Sequence, residues 1–141
     1  MATDKIHRIL VATDGSNASV AAARYAARLL GTLKPRVTLL HVVPNESIPI
    51  GTTQFGPRAE VEIERTLWEG AQGILDLTRK PFDELSIPLE VTIRRGEAAE
   101  EIVAAARRGR ADLVVLGTRG GTTDAVMERS GRPVLVVNTH K

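Results

Sequence analysis

Asp14 lies in Ala12-Thr13-Asp14-Gly15-Ser16, directly after the apolar run Ile9–Ala12 and before an alanine-rich stretch. A carboxylate between a strand and a helix can accept ribose hydroxyls, bind a cation, or cap the helix. Ser16 and Asn17 are competent caps as well, so the local sequence leaves the choice open. Gly15 supplies either a positive φ or only a tight turn. A second candidate follows Leu113–Leu116, where Gly117, Gly120 and Gly121 fall within five residues. Glycines there leave backbone N–H groups free to face a phosphate, and Arg119 adds charge. A plain strand-to-helix turn explains them equally well. The spacing is not GxGxxG, and GxxxxGK[ST] is absent from the chain, which disfavours a Rossmann dinucleotide site and a P-loop.

Other chemistries find little support. The absence of cysteine excludes disulfides, thiolate catalysis and Cys-ligated metals. His41 falls inside an apolar run and reads as a satisfied buried side chain, while His7 and His140 read as solvated. No HExxH motif or Ser-His-Asp order stands out. Trp68 and Phe82 are expected to pack against the sheet, leaving no stacking platform for single-stranded nucleic acid.

The elements that must position these residues are legible as alternating patterns. Ile9–Ala12, Val37–Val43, Leu113–Leu116 and Val134–Val137 are continuous apolar runs, as in parallel strands covered on both faces. Leu89–Ile93 alternates, with Glu90 and Thr92 on one side, and reads as an edge or half-exposed strand. Helices are expected between them. The first covers Ser16–Leu30, with Val20, Ala23, Ala27 and Leu30 at helical spacing and Gly31 as C-cap. The second covers Ala59–Leu85, carrying Val61, Leu67, Ile74 and Leu77 on an acidic and basic background, with Pro81 marking an end or kink. The third opens at Gly96-Glu97, turns Ile102, Val103 and Ala106 inward, and ends in Arg107, Arg108 and Arg110, which suit a helix C-terminus. The fourth covers Thr122–Arg129.

This β-α-β-α-β-α-β-α-β order, with right-handed crossovers, predicts a three-layer α/β/α sandwich. In such sheets ligands bind beyond the carboxyl ends of the strands. The segments 12–16, 42–44 and 117–121 should meet there. Pro44–Arg58 is the one long irregular connection and reads as a mobile loop.

The 141 residues suit one domain, 1–141. Hydrophobic residues at 43% and charged residues at 26% are too apolar for a disordered chain. Nineteen Lys and Arg against seventeen Asp and Glu give +2, which argues against an obligate nucleic-acid binder. Apolar runs are far shorter than the roughly 20 residues that span a bilayer. The first residues lack the pattern of a signal peptide. A cytoplasmic protein with no membrane association is expected.

Four segments together resemble the universal stress protein family: RILVATDGSNASVAAARYAARL, VTLLHVVP, GEAAEEIVAAARRGRADLVVLGTRG and RPVLVVNTHK. The resemblance spans nearly the whole chain, except that Pro44–Trp68 carries no distinctive motif. It implies a five-stranded parallel sheet of order 3-2-1-4-5 and homodimers paired through the last strand. Many members bind ATP. Carried over by position, Asp14 would contact the ribose, Ala12 and Thr13 would line the adenine side, and the Val42 backbone would read the adenine edge. Leu116 and Gly117 would begin the phosphate loop.

The family's ATP motif, G-x2-G-x9-G-[S/T], is met here only by Gly117-Thr118-Arg119-Gly120. About ten residues that usually hold the second glycine and its Ser/Thr are missing before Arg132-Pro133-Val134, so Gly120-Gly121 must serve both ends of the loop or neither. The expectation is a dimeric stress-response protein acting through partner binding, with a degenerate adenine-nucleotide site that takes ATP or AMP weakly. No catalytic residue or metal ligand is assigned. The alternative is an ATP-binding switch. A response-regulator receiver is disfavoured because Asp14 lacks an acidic neighbour and the third strand ends in Arg94-Arg95. A flavodoxin-like carrier is disfavoured because none of the few aromatics is placed to stack on a flavin.

Overall fold

A computed structural model of the chain describes residues 6–45, 57–117 and 120–138. The strands are β1 (Arg8–Ala12), β2 (Arg36–Val43), β3 (Leu89–Arg95), β4 (Leu113–Gly117) and β5 (Val134–Val137). They form one parallel sheet of order β3-β2-β1-β4-β5. The helices are α1 (Asn17–Leu30), α2 (Pro57–Glu84), α3 (Ala98–Arg108) and α4 (Gly120–Arg129). The expected three-layer sandwich is therefore the fold.

The continuous apolar runs divide by the two-residue period of a strand. Ile9, Val11, Leu39, Leu113 and Val115 join a core with α1 and α2. Their neighbours Leu10, Ala12, Leu40, Val114 and Leu116 join a second core with α3 and α4. β3 has no fully buried residue, as expected of an edge strand.

Gly31 is the C-cap of α1, as the sequence reading has it, while two details of α2 differ. Gly31 ends α1 with right-handed angles (φ −60°, ψ −33°), and the chain runs on through a 3-10 turn, Gly31–Leu33. The left-handed residue is Lys34 instead (φ 53°). On α2 the inward stripe is Ala71, Leu75, Thr78 and Phe82, with Ile74 partly buried beside it. Val61, Leu77 and Trp68 are exposed, so only Phe82 of the two large aromatics packs on the sheet. In the N-terminal half of this helix the Trp68 indole N–H donates to Glu64 (3.2 Å) rather than entering the core. Pro81 does not end α2. It lies in the last turn, where losing one N–H donor interrupts little of the ladder, and buried Phe82 beside it holds the turn down.

The amino ends of β1 and β4 are clipped by Asp112. Its Oδ2 accepts the backbone N–H groups of His7 (2.8 Å) and Arg8 (2.9 Å). These bonds stabilise the charged form and hold the Asp112 carboxyl below its ordinary pKa. A lowered folded-state pKa contributes stability that is present above the unfolded pKa and is lost as pH falls through the folded one. Asp112→Asn should therefore lower stability at neutral pH and flatten the loss of stability below about pH 4. Urea denaturation of both proteins across that range checks this; parallel curves for the two would contradict it.

Candidate functional site

The carboxyl ends of β1, β2 and β4 surround a cavity of about 170 Å³. Ala12, Thr13, Asp14, Val42, Leu116 and Gly117, all singled out in the sequence, line it. The remaining wall is Ser19, Leu40, Pro44, Ala98, Ile102, Thr122 and Thr123. Ala98 and Ile102 come from α3, whose start is folded back over the strand ends, and no local signal marks them. Ser19 was legible in principle, because it stands three residues after a capping serine.

The floor is built around Thr13, which is 5% exposed. Its N–H donates to the Leu40 carbonyl (2.9 Å), and its carbonyl accepts from His41 Nδ1 (2.8 Å). A carbonyl has no proton to give, so Nδ1 of the His41 ring carries the hydrogen. His41 is thus the satisfied buried side chain that its position suggested. The Thr13 hydroxyl accepts the Gly15 N–H (3.1 Å) and lies 3.2 Å from Ser19 Oγ and 3.0 Å from Thr78 Oγ1. Thr78 donates to the Ile74 carbonyl (2.7 Å), so this network ties α2 to the β1–α1 turn.

Asp14 is exposed on the cavity rim. Its Oδ1 accepts from the Ser16 N–H (2.9 Å) and from Ser19 Oγ (2.7 Å). The N-cap of α1 is Ser16, whose side chain accepts the Ser19 N–H (3.2 Å). Asp14 therefore fixes the turn before the cap and is not the cap itself. Gly15 takes φ +81°, and a Cβ there would stand 2.8 Å from Cγ1 of Ile74. Among the described residues no group of three His, Asp or Glu side chains could hold a metal ion.

The glycine segment is arranged differently from a wrapping loop. β4 ends at Gly117 and α4 begins at Gly120, which leaves a connection of residues 118–119 that lies outside the described residues, Arg119 included. Gly120 and Gly121 are the first two residues of α4, two residues earlier than the sequence pattern placed its start. Gly121 is exposed, and a Cβ on it would meet nothing within 4 Å. The cavity wall on this side is made by Thr122 and Thr123, and Thr123 Oγ1 donates to the Gly117 carbonyl (3.2 Å). The long Pro44–Arg58 connection falls mostly outside the described residues.

Gly117 has a packing reason to be glycine. A Cβ on it would lie 2.6 Å from the carbonyl carbon of Ala18 and 2.7 Å from the Ser19 nitrogen. Both are backbone atoms of α1, which have no rotamer by which to retreat.

A parallel sheet of this order with a cavity at its reversal point defines a doubly wound α/β sandwich, a class in which ligands commonly sit at the strand ends. The universal stress protein family model matches residues 5–138, and the chain belongs to that family. It is 29% identical to universal stress protein MJ0531 of Methanocaldococcus jannaschii, over 95% of this chain and 83% of that one. It is 27% identical to MJ0577 of the same organism, over 92% and 93% respectively. The solved MJ0577 structure superposes with a TM-score of 0.78, covering 97% of this chain and 99% of that one at 23% identity. More distant structures of the same fold were solved with AMP (Arabidopsis thaliana, TM-score 0.75, 16% identity, covering 95% of this chain and 92% of that one). Others were solved with dAMP (Archaeoglobus fulgidus, TM-score 0.70, 20%, covering 94% and 98%) and with cAMP (TM-score 0.71, 19%, covering 97% and 100%).

Gly117→Ala should destabilise the protein by about 1–3 kcal/mol, the usual cost of forcing atoms into a packed site. Gly121→Ala should change it by no more than about 1 kcal/mol, in the stabilising direction. Denaturant midpoints of the two variants test the contrast, and equal midpoints would refute it.

Proposed function

We infer that this universal stress protein binds adenine mononucleotides in the cavity at the strand ends and transmits that occupancy, or its absence, through protein contacts. The observation that carries the reading is the composition of the wall. Its interior is apolar, from Ala12, Leu40, Val42, Ala98, Ile102 and Leu116, and Asp14 at the rim is the charged residue among those described. An apolar slot with a rim carboxylate suits an adenine base and a ribose diol. No Lys or Arg lines it among the described residues.

A triphosphate needs more than this wall offers. The phosphate side consists of the first turn of α4 with Thr122 and Thr123, whose N–H groups point outward from a helix start and favour an anion. Each charge-assisted bond missing from a desolvated phosphate costs roughly 1.5–3 kcal/mol. Losing two weakens binding about a hundredfold or more. The short 118–119 connection thus supports the mononucleotide reading over an ATP-driven switch. The family relatives solved with AMP, dAMP and cAMP agree in ligand size.

Calorimetric titration with AMP, ADP and ATP in the presence of magnesium is the test. In the cavity ATP is expected to bind no more tightly than AMP, and Asp14→Ala to abolish AMP binding while the fold persists. A tenfold gain from AMP to ATP that Asp14→Ala removes would overturn the mononucleotide reading.

The chain is further proposed to act as a cytoplasmic homodimer paired through β5. That strand forms one edge of the sheet, and all four of its residues, Val134 to Val137, are only half buried. It has no lysine, glycine or inward charge to blunt it, and Pro133 protects only its start. Antiparallel pairing of two such edges forms a closed two-fold contact. Sedimentation at micromolar concentration should find two 15.2 kDa chains together, and Val136→Lys should separate them. A monomer for the unaltered protein would rule the dimer out.

A further inference from the structure

The opposite end of the sheet carries a different surface. Where β1, β2 and β4 begin, His7, Arg8, Lys34, Arg36, Arg110 and Asp112 enclose an open hollow of about 540 Å³. It lies about 13 Å from the mononucleotide cavity along β1, at roughly 3.3 Å per residue. Four cationic side chains there face one carboxylate.

Three features make this more than a solvated face. Arg8 and Arg36 are direct cross-strand partners in the parallel register, and like charges placed opposite one another disfavour the pairing. Lys34 and Arg110 both hold left-handed backbone, φ 53° and 52°, where glycine or asparagine is favoured. Two of the three non-glycine residues with positive φ among those described are therefore cations of this hollow. Finally, the ion pairs among the described residues join Arg65 to Glu62, Arg79 to Asp83 and Arg95 to Glu64, and none engages these four side chains. Asp112 brings one negative charge against four positive ones, and its Oδ2 accepts the N–H groups of His7 and Arg8.

The backbone beneath is fixed. The Arg36 N–H donates to the His7 carbonyl (2.7 Å), and the Asp112 N–H donates to the Arg8 carbonyl (2.7 Å). The charges thus stem from one rigid frame built of three segments. Guanidinium groups present planar forks that match phosphate oxygens. No Phe, Tyr or Trp lines the hollow among the described residues, and its polar groups are mostly cations.

The geometry points to a condensed-phosphate site, one that binds two or more linked phosphoryl groups and is separate from the mononucleotide cavity. The ligand relieves the Arg8–Arg36 repulsion that the empty fold carries. Its source is either an inorganic polyphosphate chain or the polyphosphate end of a nucleotide.

Inorganic tripolyphosphate is the probe, titrated calorimetrically at constant ionic strength into the intact protein, Arg36→Gln, Arg110→Gly and Asp14→Ala. Both arginine variants are expected to weaken binding at least tenfold, and Asp14→Ala to leave it unchanged. Arg110→Gly also relieves the left-handed backbone, so its thermal midpoint should hold or rise while tripolyphosphate binding falls. That opposition separates lost binding from lost folding. The proposal is overturned if tripolyphosphate does not bind, if both arginine variants bind like the parent, or if Asp14→Ala removes the signal and so places it in the mononucleotide cavity. ATP titrated into Asp14→Ala then distinguishes the sources. Retained binding that is sensitive to Arg36→Gln assigns nucleotide phosphates, and lost binding with tripolyphosphate retained assigns the inorganic chain.

Discussion

Thr13 is the residue on which the rest of the site depends. It directly follows the central strand, is buried, and must satisfy a backbone N–H, a backbone carbonyl and a hydroxyl away from water. Its partners come from β2 (Leu40 and His41), α1 (Ser19) and α2 (Thr78). An unsatisfied buried polar group costs about 1–3 kcal/mol, so all four partners are held to one arrangement. That arrangement sets the direction in which Asp14 leaves the strand. It also explains a threonine, Thr78, in the otherwise apolar inward stripe of α2.

A second constraint is steric. The end of β4 approaches the start of α1 so closely that only the hydrogen of Gly117 fits against Ala18 and Ser19. This contact brings the β1–α1 turn and the start of α4 to opposite sides of one cavity. Gly117 thus serves the site by permitting the approach of two elements, whatever its own N–H does for a ligand.

The hollows at the two ends of β1 differ in charge, and strand direction is what gathers the residues of each. In a parallel sheet all amino ends gather at one edge and all carboxyl ends at the other. Arg8 and Arg36 each open a strand, and Lys34 and Arg110 sit in the turns that lead into β2 and β4. Cations scattered along the chain therefore converge at one end. The cavity at the other end has an apolar wall and one acid among its described residues. A net charge of +2 conceals this separation.

The apolar runs by themselves determined the strands, because a fully covered parallel strand has no polar face and stands out against any helix. The alternating pattern of Leu89–Ile93 likewise marked β3 as an edge strand. Asp14 and Gly117 were visible as candidates because strand ends and helix starts are local features. The inward face of α2 was not legible. Leu67, Ile74 and Leu77 and the stripe at Ala71, Leu75, Thr78 and Phe82 both have helical spacing, and only packing against α1, β2 and β3 chooses between them. The roles of Gly120 and Gly121 were also beyond local pattern, since a glycine pair suits a loop and a helix start equally. Tertiary structure alone decided that Ala98 and Ile102 meet Ala12, and that Arg8, Arg36 and Arg110 meet one another, because these groups are distant in sequence and a parallel sheet sorts them by strand direction.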